Sequence, residues 1–559
     1  MIRSLGRNLL TLGLAIALGG PLLTSCGSSN ASSSAPSSNP GANGDNGYSA
    51  GMGGASFAVG SSTGGLPAEQ KIDVAVEVPK ASENYVYAAN PDRNSVAVIN
   101  PTNLAIQTVA VDAAPRALQT LPNQDAAIVV NTGSSTVSVL TTNSDGKTAS
   151  TTLPVMRGAN VAAVSPDGKY ALIYYDSTRP TSGPLTDSPQ SMSALDLSAA
   201  VPAVYQVTVG YHPTAVSFAA DSTQAFVVSD DGISIVDLTH LNSPASRLSE
   251  NVQVYDATVS SPLSVWVSPD GDYAVARQAG ASKLRLVGLA APLQSDLDLQ
   301  GVLDEPADAG TASALDVSDV ALAPDGKFLL AVIRNREILV RVPIPDGFDD
   351  VSLVQQIFLP NVLTGAVSIG PDGHFAVLYT TVDSQNEQRI SVLDLTGQTA
   401  LKTINLHKIV DGVAFDPTGK TAYVLHVKTA GDPAASNLTQ DQVTARRYGY
   451  SLVDLASATS KLQFTDSEPG QIAALPDGSA LFILFPDTSP WSVQRAQLDG
   501  FAVDSIGIGS QPTGIGFVSK AKQIFISQAQ VDGRMTFIDW TSLQIKSVAG
   551  YELNSSIWE

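Results

Sequence analysis

Side chains able to do chemistry are few and scattered in this chain. Among 559 residues there is one cysteine, Cys26, and there are five histidines, at 212, 240, 374, 407 and 426, with no two at ligand spacing. His212 sits in Gly210-Tyr211-His212-Pro213. At the mouth of a channel such a histidine can ligate a metal or haem, although a plain loop histidine is the simpler reading. No Gly-x-Ser-x-Gly elbow, His-Glu-x-x-His, Cys-x-x-Cys or phosphate loop occurs, so no cofactor or metal site is expected. Without Cys-x-x-Cys-His, covalent haem attachment is excluded. Asp230-Asp231-Gly232 offers oxygens to calcium, but its spacing is not that of an EF-hand and turn formation accounts for it. Arg446, Arg447 and Tyr448 stand out as basic and aromatic in a chain of formal charge −21.

The elements that must position these residues are repeats. Clear copies read Val164-Ser165-Pro166-Asp167-Gly168-Lys169-Tyr170 and Val267-Ser268-Pro269-Asp270-Gly271-Asp272-Tyr273. Two more centre on Pro324-Asp325-Gly326 and Pro371-Asp372-Gly373. Weaker copies centre on Pro417-Thr418-Gly419 and Pro476-Asp477-Gly478, and degenerate ones on Pro79-Lys80, Pro122-Asn123, Ala220-Asp221 and Ser519-Lys520. Each has an apolar strand on either side, and Pro-Asp-Gly supplies the fixed φ, side-chain acceptor and positive φ of a tight hairpin. A third strand ends in Asp, as in Ile233-Ser234-Ile235-Val236-Asp237, and a fourth follows. That Asp is expected to start the next turn, not to bind a ligand. Four antiparallel strands in each of ten units predict an all-β chain folded as a β-propeller.

Tyr85-Val86-Tyr87-Ala88-Ala89-Asn90, Ser95-Val96-Ala97-Val98-Ile99-Asn100 and the Pro-Asp-Gly turns make residues 71–559 resemble the YVTN-type β-propeller family of surface and periplasmic proteins. The resemblance implies a scaffold and no particular activity. Ten units exceed the four to eight blades of most propellers. One large ring is favoured, with two tandem rings as the alternative, divided at the acidic stretch from Asp296 to Asp316.

Chain direction places the second-to-third and fourth-to-first connections on one face, the top, and the Pro-Asp-Gly turns on the bottom. Two second-to-third connections are long, 177–190 and 429–449, and both reach the top on opposite sides of a ten-blade ring. Long loops on a rigid scaffold are where binding commonly resides. Aligned on the turns, the residues just before each first strand form a polar ring at the channel mouth. These are Asp73, Arg116, Asn160, Thr214, Leu263, Ser318, Gly365, Asp411, Gly470 and Thr513. Candidate ligand-binding residues are therefore Asp73, Arg116, Asn160, His212, Thr214, Asp411, Arg446, Arg447 and Tyr448.

The N-terminus has a basic start (Arg3, Arg7), an apolar run from Leu9 to Leu23, and then Thr24-Ser25-Cys26, the layout of a secretory signal. Leu23-Thr24-Ser25-Cys26 resembles the lipobox of bacterial lipoproteins. That resemblance implies cleavage after residue 25, a thioether-linked diacylglycerol on Cys26 and an acylated amino group. Gly27, in place of the Asp associated with inner-membrane retention, favours the outer membrane in a diderm cell. Residues 26–70, rich in Ser, Gly, Asn, Ala and Pro, are expected to be a flexible tether, because they offer too little apolar surface to offset ordering.

Cleavage removes two arginines and no acid, so the mature chain is more acidic than −21. Such a polyanion is a poor partner for nucleic acid or anionic lipid. With its cysteine lipidated, it forms no disulfide-linked complex. The expected protein is anchored in the bacterial envelope through its lipid, and its propeller binds a protein, peptide or glycan on the top face. The alternative is a lactonase-like propeller hydrolase, which would need Glu, His and Arg clustered at the channel mouth.

Overall fold

The structure is a computed structural model and describes residues 81–551, apart from 178, 180–185, 200, 255–262, 279–280, 292, 304–314, 383–386, 398–399, 488 and 531–532. The expected signal, Cys26, the expected tether and Asp73 lie outside the described residues.

Ten antiparallel sheets succeed one another along the chain, each built from consecutive strands. Blades 1 to 10 span 86–110, 115–154, 161–208, 215–252, 263–298, 317–358, 366–405, 410–465, 472–507 and 512–549. Nine show four strands, and blade 1 shows three among the described residues: Val86–Asn90, Ser95–Ile99 and Ile106–Ala110. The few helices are short and lie in connections.

Burial follows radial position. Second strands such as Ala126–Asn131 and Phe328–Ile333 are buried at every residue, since both faces are covered by neighbouring blades. Outer strands such as Thr148–Pro154 are largely exposed.

The core closes one ring. Tyr87 and Val96 of blade 1 pack with Val129 and Leu140 of blade 2. Interleaved clusters then join each blade to the next through blade 10. In the last, Val86, Ala97 and Ile99 of blade 1 pack against Phe525, Met535 and Phe537 of blade 10. The junction where two rings would have parted is bridged by core, with Val275, Leu284 and Leu297 packed against Val317, Val320 and Leu329. The protein is thus a single ten-bladed propeller.

The repeated turns do two jobs. Within a blade, Asp167 accepts from Lys169 N–H at 3.0 Å, and the Ser165 hydroxyl accepts from Tyr170 N–H at 3.0 Å. Between blades, the turns nest. Gly271 has φ +77°, and a Cβ there would stand 2.5 Å from the Phe226 ring of the preceding blade, so glycine is demanded both by conformation and by contact. Where a third strand ends in Asp, in blades 3, 4, 7, 8 and 10, that Asp starts the next turn, as expected: Asp237 accepts from Thr239 N–H at 2.9 Å and Asp394 from Thr396 N–H at 2.9 Å.

Candidate functional site

The antiparallel order puts the second-to-third and fourth-to-first connections on the top face. At the top of the innermost strand, four blades insert an extra residue among the described residues. The register shifts between Pro115 and Ala117, Val317 and Asp319, Val410 and Gly412, and Pro512 and Gly514. The bulged residues are Arg116, Ser318, Asp411 and Thr513, all members of the ring read from the sequence. A bulge leaves its residue outside the ladder and re-aims the side chain. Asp411 is half-buried and has no hydrogen-bond or ion-pair partner among the described residues, and burial raises its carboxyl above the usual range.

Other ring members serve as braces. Asn160 donates to Asp176 O at 2.9 Å and accepts from Asp176 N–H at 2.8 Å, fixing the start of the long blade 3 connection. Thr214 N–H and hydroxyl both donate to Val228 O, at 2.9 and 3.3 Å. Gly365 and Gly470 donate their N–H groups to Tyr379 O and Leu484 O.

His212 ties blades 3 and 4 together. Its backbone N–H donates to Pro189 O of the long blade 3 connection at 3.1 Å, and its ring lies against Tyr211 with centroids 3.7 Å apart. Nδ1 meets Asp230 Oδ2 at 3.0 Å. Among the described residues no group of three His, Cys, Asp or Glu could hold a metal ion.

The second long connection, residues 427–447 of blade 8, is an ordered arm. It carries the helix Gln440–Arg446, started by a capping box in which the Thr439 hydroxyl accepts from Gln442 N–H and the Gln442 side chain accepts from Thr439 N–H. A seven-residue helix is too short to persist alone. Its last carbonyls are captured from below by Lys408, which lies between the fourth strand of blade 7 and the first of blade 8. Only 1% of Lys408 is exposed. Its ammonium donates to Val427 O at 3.1 Å, Thr444 O at 3.1 Å, Ala445 O at 3.2 Å and Arg447 O at 2.8 Å. Burial pushes its pKa down to about 8. Next to it, buried His426 donates from Nδ1 to Ile409 O at 3.1 Å and accepts at Nε2 from the Ser451 hydroxyl at 2.7 Å. Burial drives its pKa down to about 3, and the Lys408 charge acts in the same direction.

Arg446, Arg447 and Tyr448 share the base of this arm but do not point together. Arg446 folds back over Gly431 and donates to Asp432 O at 3.2 Å. Arg447 lies over the Phe464 ring at 4.4 Å. Tyr448 begins the third strand and carries Lys428 Nζ 4.5 Å above its ring. Sequence reasoning missed Lys408 and His426. The only sequence signal of the arm's order was the Thr439-x-x-Gln442 capping box.

Basic residues are sorted by type. Most arginines between residues 81 and 551 lie in top connections or at the top ends of strands. Lysines gather in lower turns, at Lys169, Lys327, Lys420, Lys520 and Lys522. Several arginines brace the top through ion pairs: Arg157–Asp187 at 3.2 Å, Arg334–Asp316 at 2.9 Å and Arg389–Glu387 at 2.6 Å.

No protein-family model matches the chain, and no curated protein does. Among solved structures it is similar to the dihydro-heme d1 dehydrogenase NirN in complex with DHE, at 15% identity and TM-score 0.37 over 66% of this chain and 74% of that one. It is similar to a eukaryotic initiation factor at 10% identity and TM-score 0.45, over 75% and 95% of the two chains. A third is the Cps50 (Swd1) β-propeller domain of Myceliophteria thermophila, at 10% identity and TM-score 0.33, over 64% and 98%. The ten-bladed fold rests on the chain's own strand order and packing, and nothing about activity follows from these likenesses.

Proposed function

We propose that this chain is a lipid-anchored envelope protein whose propeller holds a protein, peptide or glycan partner on its top face. The observation that carries the proposal is the blade 8 arm. A connection of some twenty residues is held in one conformation by a buried ammonium on four carbonyls, on the same face as the long connection of blade 3, five blades away. A pre-ordered loop loses little entropy on binding. Arginines on that face add side chains suited to carboxylate, phosphate and hydroxyl groups. The anchor rests on the sequence alone, on Leu23-Thr24-Ser25-Cys26 and the tether behind it. More than one acyl chain gives stable attachment, at roughly 0.8 kcal/mol per buried CH2.

Two measurements test this reading. Cys26→Ser should move the protein out of the membrane fraction, or leave the precursor uncut, and abolish labelling by a radioactive fatty acid. Equal labelling of wild type and variant would remove the anchor. For the face, a photo-crosslinking residue at Gln440, exposed on the arm, should give discrete adducts in intact cells. The same residue at Asp270, exposed in a bottom turn, should give none. Equal adducts from both positions would show that the top face is not special.

A further inference from the structure

Between the outer halves of blades 3 and 4, on the top side, lies a cleft of about 170 Å³ lined by Gln190, Thr208, Val209, Gly210, Asp231, Leu248, Ser249 and Asn251. From its chemistry we infer that it is a subsite for one neutral sugar ring, which names a ligand class for the top face proposed above and rests on that reading.

The cleft is built, not incidental. Its two sides are stitched where Leu248 bridges Thr208 in parallel and Ser249 donates to Thr208 O from N–H at 3.3 Å and from its hydroxyl at 2.5 Å. Gly210 forms the floor. Its N–H donates to the Ser234 hydroxyl at 2.8 Å, and a Cβ there would fall 2.0 Å from Ser229 Oγ. One wall is Asp231, whose Oδ2 accepts from Tyr211 N–H at 2.7 Å. Asn251 is set by donating to Asp231 O at 3.0 Å. Gln190 and Thr208 are exposed, and their side chains make no hydrogen bond among the described residues.

These are the groups that hydroxyls need. Planar amides present donors and acceptors, the carboxylate presents acceptors, and a hydroxyl serves as either. Leu248, 70% exposed, supplies an apolar surface for the C–H face of a ring. Size decides the scale, since drug-sized ligands occupy roughly 300 Å³ or more. A volume of about 170 Å³ admits one ring of a glycan and no folded segment of protein. Among the described residues Asp231 is the only charged liner, so like-charge repulsion disfavours an acidic sugar.

The test uses full-length protein in detergent and saturation-transfer NMR with four trisaccharides: maltotriose, mannotriose, chitotriose and trigalacturonate. At least one neutral trisaccharide should receive saturation, with trigalacturonate receiving none. Gln190→Ala and Thr208→Val remove side-chain groups that hold nothing in the fold, and each should weaken binding about tenfold with unchanged thermal unfolding. Failure of all three neutral sugars, transfer unchanged in both variants, or equal transfer to trigalacturonate would overturn the assignment. The readout is independent of the crosslinking experiment. Sugar binding without top-face adducts would keep the cleft and discard the partner reading, and the reverse would discard only the cleft.

Discussion

Replacing Lys408 with methionine should open the arm at 427–447 to protease while changing global stability near pH 7 by no more than about 1 kcal/mol. Methionine keeps the apolar stem of lysine and removes the ammonium, so packing changes little. What is lost is four bonds to Val427, Thr444, Ala445 and Arg447 carbonyls. Bonds to a charged group contribute roughly 1.5–3 kcal/mol each, while desolvating the ion costs several kcal/mol. For the ion the two nearly offset, so the loss falls on the arm, whose Thr444 and Ala445 carbonyls keep only the N–H groups of Arg447 and Thr429. Urea unfolding and limited proteolysis read the two effects. A variant with its arm still protected would show that Lys408 is a tolerated burial and not a lock.

The same residue gives a pH signature. Burial holds its pKa near about 8, below the ordinary 10.5. Between those values the unfolded chain binds more protons than the folded one. Stability from this group therefore rises with pH across the window, by up to about 1.4 kcal/mol per pH unit. The methionine variant lacks this slope, so the wild-type-minus-variant difference isolates it. The comparison should stop near pH 10, the ordinary tyrosine value. There Tyr87 and Tyr174, raised by burial to about 12, begin to pull stability the other way.

The blade count was legible because each lower turn needs a proline, an acceptor and a positive φ, and those demands leave residues in the sequence even where one is missing. Closure was not legible. It depends on Val86 and Ile99 meeting Phe525 and Phe537, more than four hundred residues away, and apolar strand residues look alike whichever blade they face. The mouth positions Arg116, Ser318, Asp411 and Thr513 could be aligned, but nothing in their identity announces a bulge, which is a matter of register. The directions of Arg446 and Arg447 were hidden for a related reason. Adjacent along the chain, they fall at a helix end and in the residue before a strand, and so turn to Gly431 and Phe464 respectively. Lys408 was invisible because its partners are backbone carbonyls, which every residue possesses.

Acidification should expose the other member of the blade 8 cluster. His426 is neutral in the fold, with Nδ1–H given to Ile409 O and Nε2 filled by the Ser451 hydroxyl. Burial, with the Lys408 charge added, lowers its pKa from 6.5 to about 3. A depressed folded value means that the unfolded chain takes the proton first. The stability is present in full above pH 6.5 and is lost as pH falls toward 3, in all about 5 kcal/mol at roughly 1.4 kcal/mol per unit. Carboxylates such as Asp296 and Glu387, whose partners hold them below the ordinary range, also withdraw stability in the lower part of that span. The clean interval is therefore pH 6.5 to 4.5, where the histidine alone should account for about 2.7 kcal/mol. His426→Gln keeps a donor and an acceptor but cannot titrate, so its unfolding free energy should stay nearly level over that interval while that of wild type declines. Lys408→Met adds a second check. Without the neighbouring positive charge the imidazole protonates more readily, so its NMR-titrated pKa should rise above the wild-type value and the acid loss should shrink. Parallel wild-type and His426→Gln curves, together with an imidazole pKa that ignores residue 408, would mean that the two buried bases under the arm are independent and that acid acts elsewhere in the ring.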